Sequence, residues 1–308
     1  MPAVWIPKRL VELSLINSAG LSKQSFVRHC EYEYEARVYG AAKEIIEENR
    51  RIIMLTGPSA SGKTTTAHKL RDKLIALGKK AEVVSLDNFF KNADKYPRLE
   101  DGSKDYESVD AIELPLVEKC LRELIDKGKA VFPEFNFKTE ERNDTAMEIE
   151  IDDGFIIVEG IHALNPLLLN ILPKENIYTV YAGLREEYSN RGQRILPTRD
   201  IRLLRRMIRD YKYRGHSPEK TISMWPKVCE GEDKYIKIFK PNADLLIDTS
   251  FSYEILVMHS ALQPFADMVE ENTPEGKKLA ELLKVFHSID SLPVGYMPKN
   301  SMLMEFFG

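Results

Sequence analysis

The octapeptide GPSASGKT at residues 57–64 constrains this chain more than any other feature. It fits the pattern G-x-x-x-x-G-K-[ST]. An apolar run with strand character, RIIMLT at 51–56, precedes it. Residues 65–77 follow with Ala67, Leu70, Leu74 and Leu77 at helical spacing. A strand, a glycine-rich turn and a helix in that order make a phosphate-binding loop. Glycine lets the backbone curl so that its N–H groups converge on phosphate oxygens, and the helix N-terminus adds a favourable field. The residues placed to hold such an anion are Gly57, Ser59, Ala60, Ser61, Gly62, Lys63, Thr64 and Thr65. Lys63 has the reach for β- and γ-phosphates, and the Thr64 hydroxyl is a Mg²⁺ ligand in this pattern.

The rest of the chain supplies a sheet for that loop. Strand-like segments at 52–56, 81–86, 155–158, 177–181 and 243–248 alternate with helix-like ones at 65–77, 111–127, 200–213 and 217–230. Such alternation predicts parallel strands joined by crossover helices, an α/β fold. Two β-rich pieces within 131–151 predict a hairpin turning at 138–144. Three regions result: an N-terminal helical extension at 1–50, the sheet domain at 51–250, and a C-terminal extension at 251–308. In the first, a helix over 26–48 carries an apolar stripe of Tyr34, Val38, Ala41, Ile45 and Ile46. In the last, 253–287 reads as helix and 288–308 as loop.

Composition excludes several classes. The 308 residues carry a net charge of −4, which argues against bulk nucleic-acid binding. Cys30, Cys120 and Cys229 are far apart, with no C-x-x-C pair, so neither a disulfide framework nor a zinc site is expected. No apolar run approaches the ~20 residues that span a bilayer. The first residues, MPAVWIP, lack a signal-peptide core, so the expected compartment is a reducing cytosol. A homo-oligomer stays open, because no interface pattern stands out.

Ligands of parallel sheets bind beyond the carboxyl ends of the strands, and several reactive residues fall there. Asp87 follows VVSL at 83–86, at the tip of a strand read as lying beside the loop strand. A carboxylate so placed can approach Mg²⁺ and take a proton from an acceptor hydroxyl, although turns also use aspartate this way. Glu159 ends the apolar FIIV at 155–158, a Walker-B-like arrangement for holding magnesium. The helix from Asp200 carries Arg202, Arg205, Arg206 and Arg209 on one face, with Arg199 before it and Arg214 beyond. Guanidinium suits bidentate phosphate contacts, but Arg206 and Arg209 can also pair with Asp210 or Glu219. His162, Met224 and Trp225 read as packing residues.

Taken together, GPSASGKTT (57–65), SLDNFF (85–90), VEGI (158–161), RLLRRMIRD (202–210) and ADLLI (243–247) resemble the uridine kinase/phosphoribulokinase family of P-loop kinases, over roughly residues 50–250. The resemblance implies a P-loop NTPase-type parallel sheet with a substrate hairpin and an arginine-rich lid. It implies transfer of the γ-phosphoryl of ATP, with Mg²⁺, to a hydroxyl of a nucleoside or sugar-like small molecule. Asp87, Lys63, Arg206 and Arg209 would then be catalytic. Arg202 and Arg205 would join the loop in holding ATP, and Thr64, Asp87 and Glu159 would hold the metal. Acceptor contacts would fall on Phe90, Glu107, Phe135, Glu140 and Arg142. Here the chain departs from the pattern of uridine kinases. Phe90 and Phe135 stand where the family has tyrosine, Glu107 where it has aspartate, and Glu140 where it has histidine. Met224-Trp225 replaces Gln-Tyr. Other acceptors therefore stay open, such as a phosphorylated sugar or a pantothenate-like compound. So does a nucleotide-binding regulator without turnover.

Overall fold

The computed structural model describes residues 7–98, 102, 104–105, 108–136, 139–268, 270 and 272–308. In chain order the elements are β1 (Arg9–Glu12), α1 (Leu13–Gly20), α2 (Lys23–Glu48), β2 (Ile52–Thr56), α3 (Lys63–Ala76) and β3 (Ala81–Ser85). Then come α4 (Leu114–Lys127), β4 (Lys129–Asn136), β5 (Glu141–Glu150), β6 (Phe155–Glu159), α5 (Pro166–Leu169) and β7 (Ile177–Gly183). The chain continues through β8 (Glu186–Asn190), β9 (Gln193–Leu196), α6 (Thr198–Arg214) and α7 (Pro218–Tyr235). It closes with β10 (Leu245–Asp248), α8 (Glu254–Leu262), α9 (Pro274–Val285) and α10 (Met304–Phe307).

The central sheet has the order β10-β7-β2-β6-β3 and is parallel throughout. Every residue of β2 and β6 is buried, as continuous apolar strands with both faces covered must be. Side chains alternate across the sheet. Ile53 and Leu55 face one core, shared with α2, α3 and the C-terminal helices, while Ile52 and Met54 face the other, shared with α4 and the hairpin. The strands beside β2 are β6 and β7, not β3 as its sequence proximity suggested; β3 lies beyond β6, at the edge. A crossover helix is free to skip a position, and the later strand β6 fills the gap.

Local chemistry sets the element ends. Helix α4 starts at Leu114 with Pro115 in its first turn, later than the periodicity suggested, and stops at Gly128 with φ +73°. The β4–β5 hairpin is antiparallel, with a register shift between Pro133 and Phe135. A second sheet, β1-β8-β9, has no counterpart among the sequence expectations. The tail after residue 287 is not the loop expected from its sequence. It forms a turn at Val294–Tyr296 and helix α10. Met302, Leu303, Phe306 and Phe307 are each 0% exposed within the same core as α2 and α3.

Candidate active site

The chain leaves β2 at Thr56 and curls through residues 57–62 before α3 begins at Lys63. The curl needs left-handed backbone at two positions: Gly62 has φ +81°, and Ala60 adopts φ +56° despite its side chain. Gly57 packs so closely on β7 that an added Cβ would stand 2.3 Å from the Ala182 carbonyl oxygen. The first amides of α3 therefore open on a recess with the helix's positive end behind them.

The loop is braced from outside. Arg202 donates to the Ser59 carbonyl at 2.9 Å, and Ser59 N–H donates to Glu232 at 3.0 Å. Arg205 donates to the Ala60 carbonyl at 3.4 Å, and Arg206 to the Ser59 hydroxyl at 2.9 Å. Thr66 ties its own hydroxyl back to the Gly62 carbonyl at 2.7 Å.

Two acids approach the recess. Glu159, 4% exposed, ends β6 and accepts a hydrogen bond from the Thr64 hydroxyl at 3.1 Å. Asp87 sits in the short helical turn Leu86–Phe89, where the Ser85 hydroxyl accepts from its N–H at 3.3 Å. Burial pushes its carboxyl up to about 6; Lys63 pulls it down and Glu159 pushes it further up. Asp87 thus feels both the loop lysine and the second acid. Thr64, Glu159 and Asp87 present only hard oxygen donors, the set that suits Mg²⁺ rather than a softer metal. Among the described residues no group of three His, Cys, Asp or Glu side chains could enclose a metal by itself. A metal here would take its remaining ligands from bound phosphate or water.

A cavity of about 510 Å³ joins the loop to Asp87, and Glu159 stands behind its wall, bonded to Thr64. It is lined by Ser59, Ala60, Ser61, Gly62, Lys63, Thr64 and Thr65, together with Asp87, Phe90, Arg206, Arg209 and Arg214. The arginine face of α6 divides in two. Arg206 and Arg209 line the cavity and share Asp210 with Arg214. Arg202 and Arg205, expected to touch the nucleotide, stand behind the loop and line no part of this cavity. Arg202 makes a buried bidentate pair with Glu232, 2.8 Å on one arm, and lies over the Trp225 ring at 5.4 Å. Arg205, 0% exposed, is paired with Glu254 at 2.6 Å and donates to the Thr249 carbonyl at 3.0 Å.

The segments expected to contact the acceptor sit beside the cavity. Phe90 lines it and packs edge-on to Phe135 at 5.7 Å. Arg142 donates to the Phe90 carbonyl at 3.1 Å and to Glu113 at 3.2 Å. Glu140 turns the hairpin at φ +56° and pairs with Lys104. Glu107 lies outside the described residues. His162 is buried and packs edge-on to Tyr235 at 5.9 Å.

Sequence reasoning missed Glu305. From α10 it lines the cavity and accepts from the Thr65 hydroxyl at 2.6 Å. Lys212 of α6 holds the same tail through the Phe307 carbonyl at 2.6 Å, and Arg205 lies 5.1 Å from the centre of the Phe306 ring. The string LMEFF at 303–307 carries no phosphate-site pattern, so only the fold reveals it.

Residues 52–255 match the model of the phosphoribulokinase/uridine kinase family. The chain belongs to that family. It is 30% identical over 213 residues to uridine-cytidine kinase B of Dictyostelium discoideum, covering 68% of this chain and 80% of the relative. It is 28% identical over 197 residues to the uridine kinase of Lactobacillus johnsonii, covering 64% and 85%. A crystal structure of a Silicibacter sp. TM1040 kinase superposes with a TM-score of 0.50 at 18% identity, over 68% of this chain and 98% of that one, which supports the fold. The chain is a P-loop small-molecule kinase, and the family places its acceptors among nucleosides and sugar-like molecules. Among the described residues no helix is long and apolar enough to cross a membrane.

Proposed function

We propose that this chain transfers the γ-phosphoryl group of ATP to a hydroxyl of a nucleoside or sugar-like acceptor. The reading rests on one cavity shared by residues 59–65, Asp87, Arg206 and Arg209. The loop amides would cradle the triphosphate. Lys63 would sit against its β- and γ-oxygens, and Arg206 and Arg209 would spread charge over the group in transit. Asp87 would orient the acceptor hydroxyl and take its proton as the new P–O bond forms and ADP leaves. Thr64, Glu159 and Asp87 would hold Mg²⁺, which when bound neutralises charge on the phosphate oxygens.

The relatives' names favour a nucleoside acceptor. Phe90, Phe135 and Glu140, in place of tyrosines and histidine, argue that the base edge is read differently from uridine. A hydrogen-bonding site that loses its partners discriminates by ~10⁴ or more. A phosphorylated sugar or pantothenate-like acceptor is the other enzymatic reading. The test is a panel of nucleosides, sugars and sugar phosphates with ATP·Mg²⁺, read by ADP release. Acceptor-dependent ADP release on one class is expected. Tight ATP binding with no turnover on any acceptor would overturn the reading in favour of a regulator.

A further inference from the structure

Asp87 and Glu305 both line the phosphate cavity, but they keep different company. Asp87 lies in the field of Lys63 and Glu159. Glu305 instead lies in the field of Arg214, at the end of α6, and of Tyr34 in α2. Glu305 is also held firmly. Its neighbours Leu303, Phe306 and Phe307 are fully buried. Arg205 stands 5.1 Å from the centre of the Phe306 ring, and Lys212 donates to the Phe307 carbonyl at 2.6 Å. The carboxylate itself accepts from the Thr65 hydroxyl at 2.6 Å through Oε2.

This placement fixes what the carboxylate would meet. In a loop of this kind the lysine reaches the β- and γ-phosphates, while the amides cradle the α- and β-phosphates. Asp87, beside Lys63, marks the end where the γ-phosphoryl group meets its acceptor. Thr65, further into the first turn of α3, then marks the end where the α-phosphate joins the sugar. A carboxylate has nothing to offer a phosphate, since the two anions repel. It offers acceptors instead. An ionised carboxylate has about four lone-pair sites on its two oxygens, and Thr65 occupies one. The donors closest to the α-phosphate are the ribose hydroxyls, on the sugar bonded directly to it. The amino group of the base lies across the ring system, farther from Thr65. Dinucleotide-binding folds hold a ribose hydroxyl with an acid in the same way.

We propose that, with ATP in the loop as read above, Glu305 accepts hydrogen bonds from its ribose hydroxyls and makes the chain select ribonucleotides as phosphoryl donors. Glu305 lies beyond residues 52–255, which the family model matches, so the contact comes from this chain's own C-terminal segment. Its rigid setting favours the role, because little freedom is lost when the sugar binds.

Calorimetric titration of the full chain, with Mg²⁺ and without acceptor, tests this. The ligands are ATP, 2′,3′-dideoxy-ATP and inorganic triphosphate. The unaltered chain should bind ATP about tenfold or more tighter than the dideoxy analogue, as for hydrogen bonds to a charged group. Glu305→Ala should bind the two nucleotides alike. It should hold inorganic triphosphate at least as tightly as before, because a negative charge has left the cavity. Glu305→Gln, which keeps the shape and one acceptor oxygen, should show an intermediate preference. Equal binding of both nucleotides by the unaltered chain, or a preference that survives in Glu305→Ala, would overturn the role. So would Glu305→Ala weakening triphosphate as much as ATP, since that marks a brace for the loop and not a sugar contact. Failure of the unaltered chain to bind ATP at all is a separate result, and would overturn the kinase reading together with this one.

Discussion

Asp87 is where electrostatics and chemistry meet most directly. Its carboxyl, raised to about 6 mainly by burial, stays ionised at neutral pH yet is a stronger base than an exposed aspartate. If it takes the acceptor's proton, Asp87→Asn should keep ATP binding while turnover falls by ~10²–10⁴. Near-normal turnover in that variant would remove Asp87 from the role. In the unaltered protein, kcat/KM should fall about tenfold per pH unit below about 6; a profile flat to pH 5 speaks against this base. Stability should move the other way. The folded protein holds this proton more tightly than the unfolded chain, so stability declines as pH rises from the ordinary aspartate range through about 6, and stays reduced above it. Asp87→Asn removes the buried charge. Its Tm at pH 7.5 should therefore rise by a few degrees in a thermal melt, and an unchanged or lowered Tm would mean the burial cost is small.

Helix α6 does two jobs with one basic face, and the division is one of depth. Arg206 and Arg209 line the cavity, whereas Arg202 and Arg205 are buried against Glu232 and Glu254 and hold the loop's carbonyls. Removing one member of a buried pair strands the other. Glu254→Gln should lower unfolding stability by about 3–5 kcal/mol in urea, visible as a reduced midpoint. Arg206→Gln should leave that midpoint nearly unmoved and depress kcat instead. If both variants lose stability alike, the division is wrong. Helical spacing gave the shared face of these arginines correctly, but spacing carries no information about depth. The partners that decide it, Glu232 and Glu254, come from other helices, 30 and 49 residues away in the chain.

At the scale of the whole molecule, the two ends of the chain close around the phosphate loop. Tyr34 of α2 and Thr66 of α3 share a hydrogen bond of 2.8 Å, and Glu31 of α2 accepts from both Tyr253 and Ser301 at 2.5 Å. The tail then lays Met302 against Gly62 and Glu305 against Thr65. Phe306→Ala should cost about 3–5 kcal/mol, measured by denaturant unfolding. Removing residues 301–308 should speed amide exchange at 62–66; unchanged protection there would show that the tail does not brace the loop. What the sequence determined by itself was local or strongly periodic. It held the curl at 57–64, the apolar runs that became β2 and β6, and the acids Glu159 at the end of β6 and Asp87 just beyond β3, because strand and helix periods and glycine's backbone freedom act within a few residues. Tertiary structure alone decided the rest. The EEYSN of β8 looks like surface, yet Glu186 and Glu187 are 5% exposed because Arg9 and Lys8, more than 170 residues earlier, neutralise them. The order of β6 before β3, the docking of Glu305 and the inward turn of Arg205 likewise depend on partners that meet only once the chain has folded. Charge pairing and core burial act through space, and a linear sequence does not record those distances.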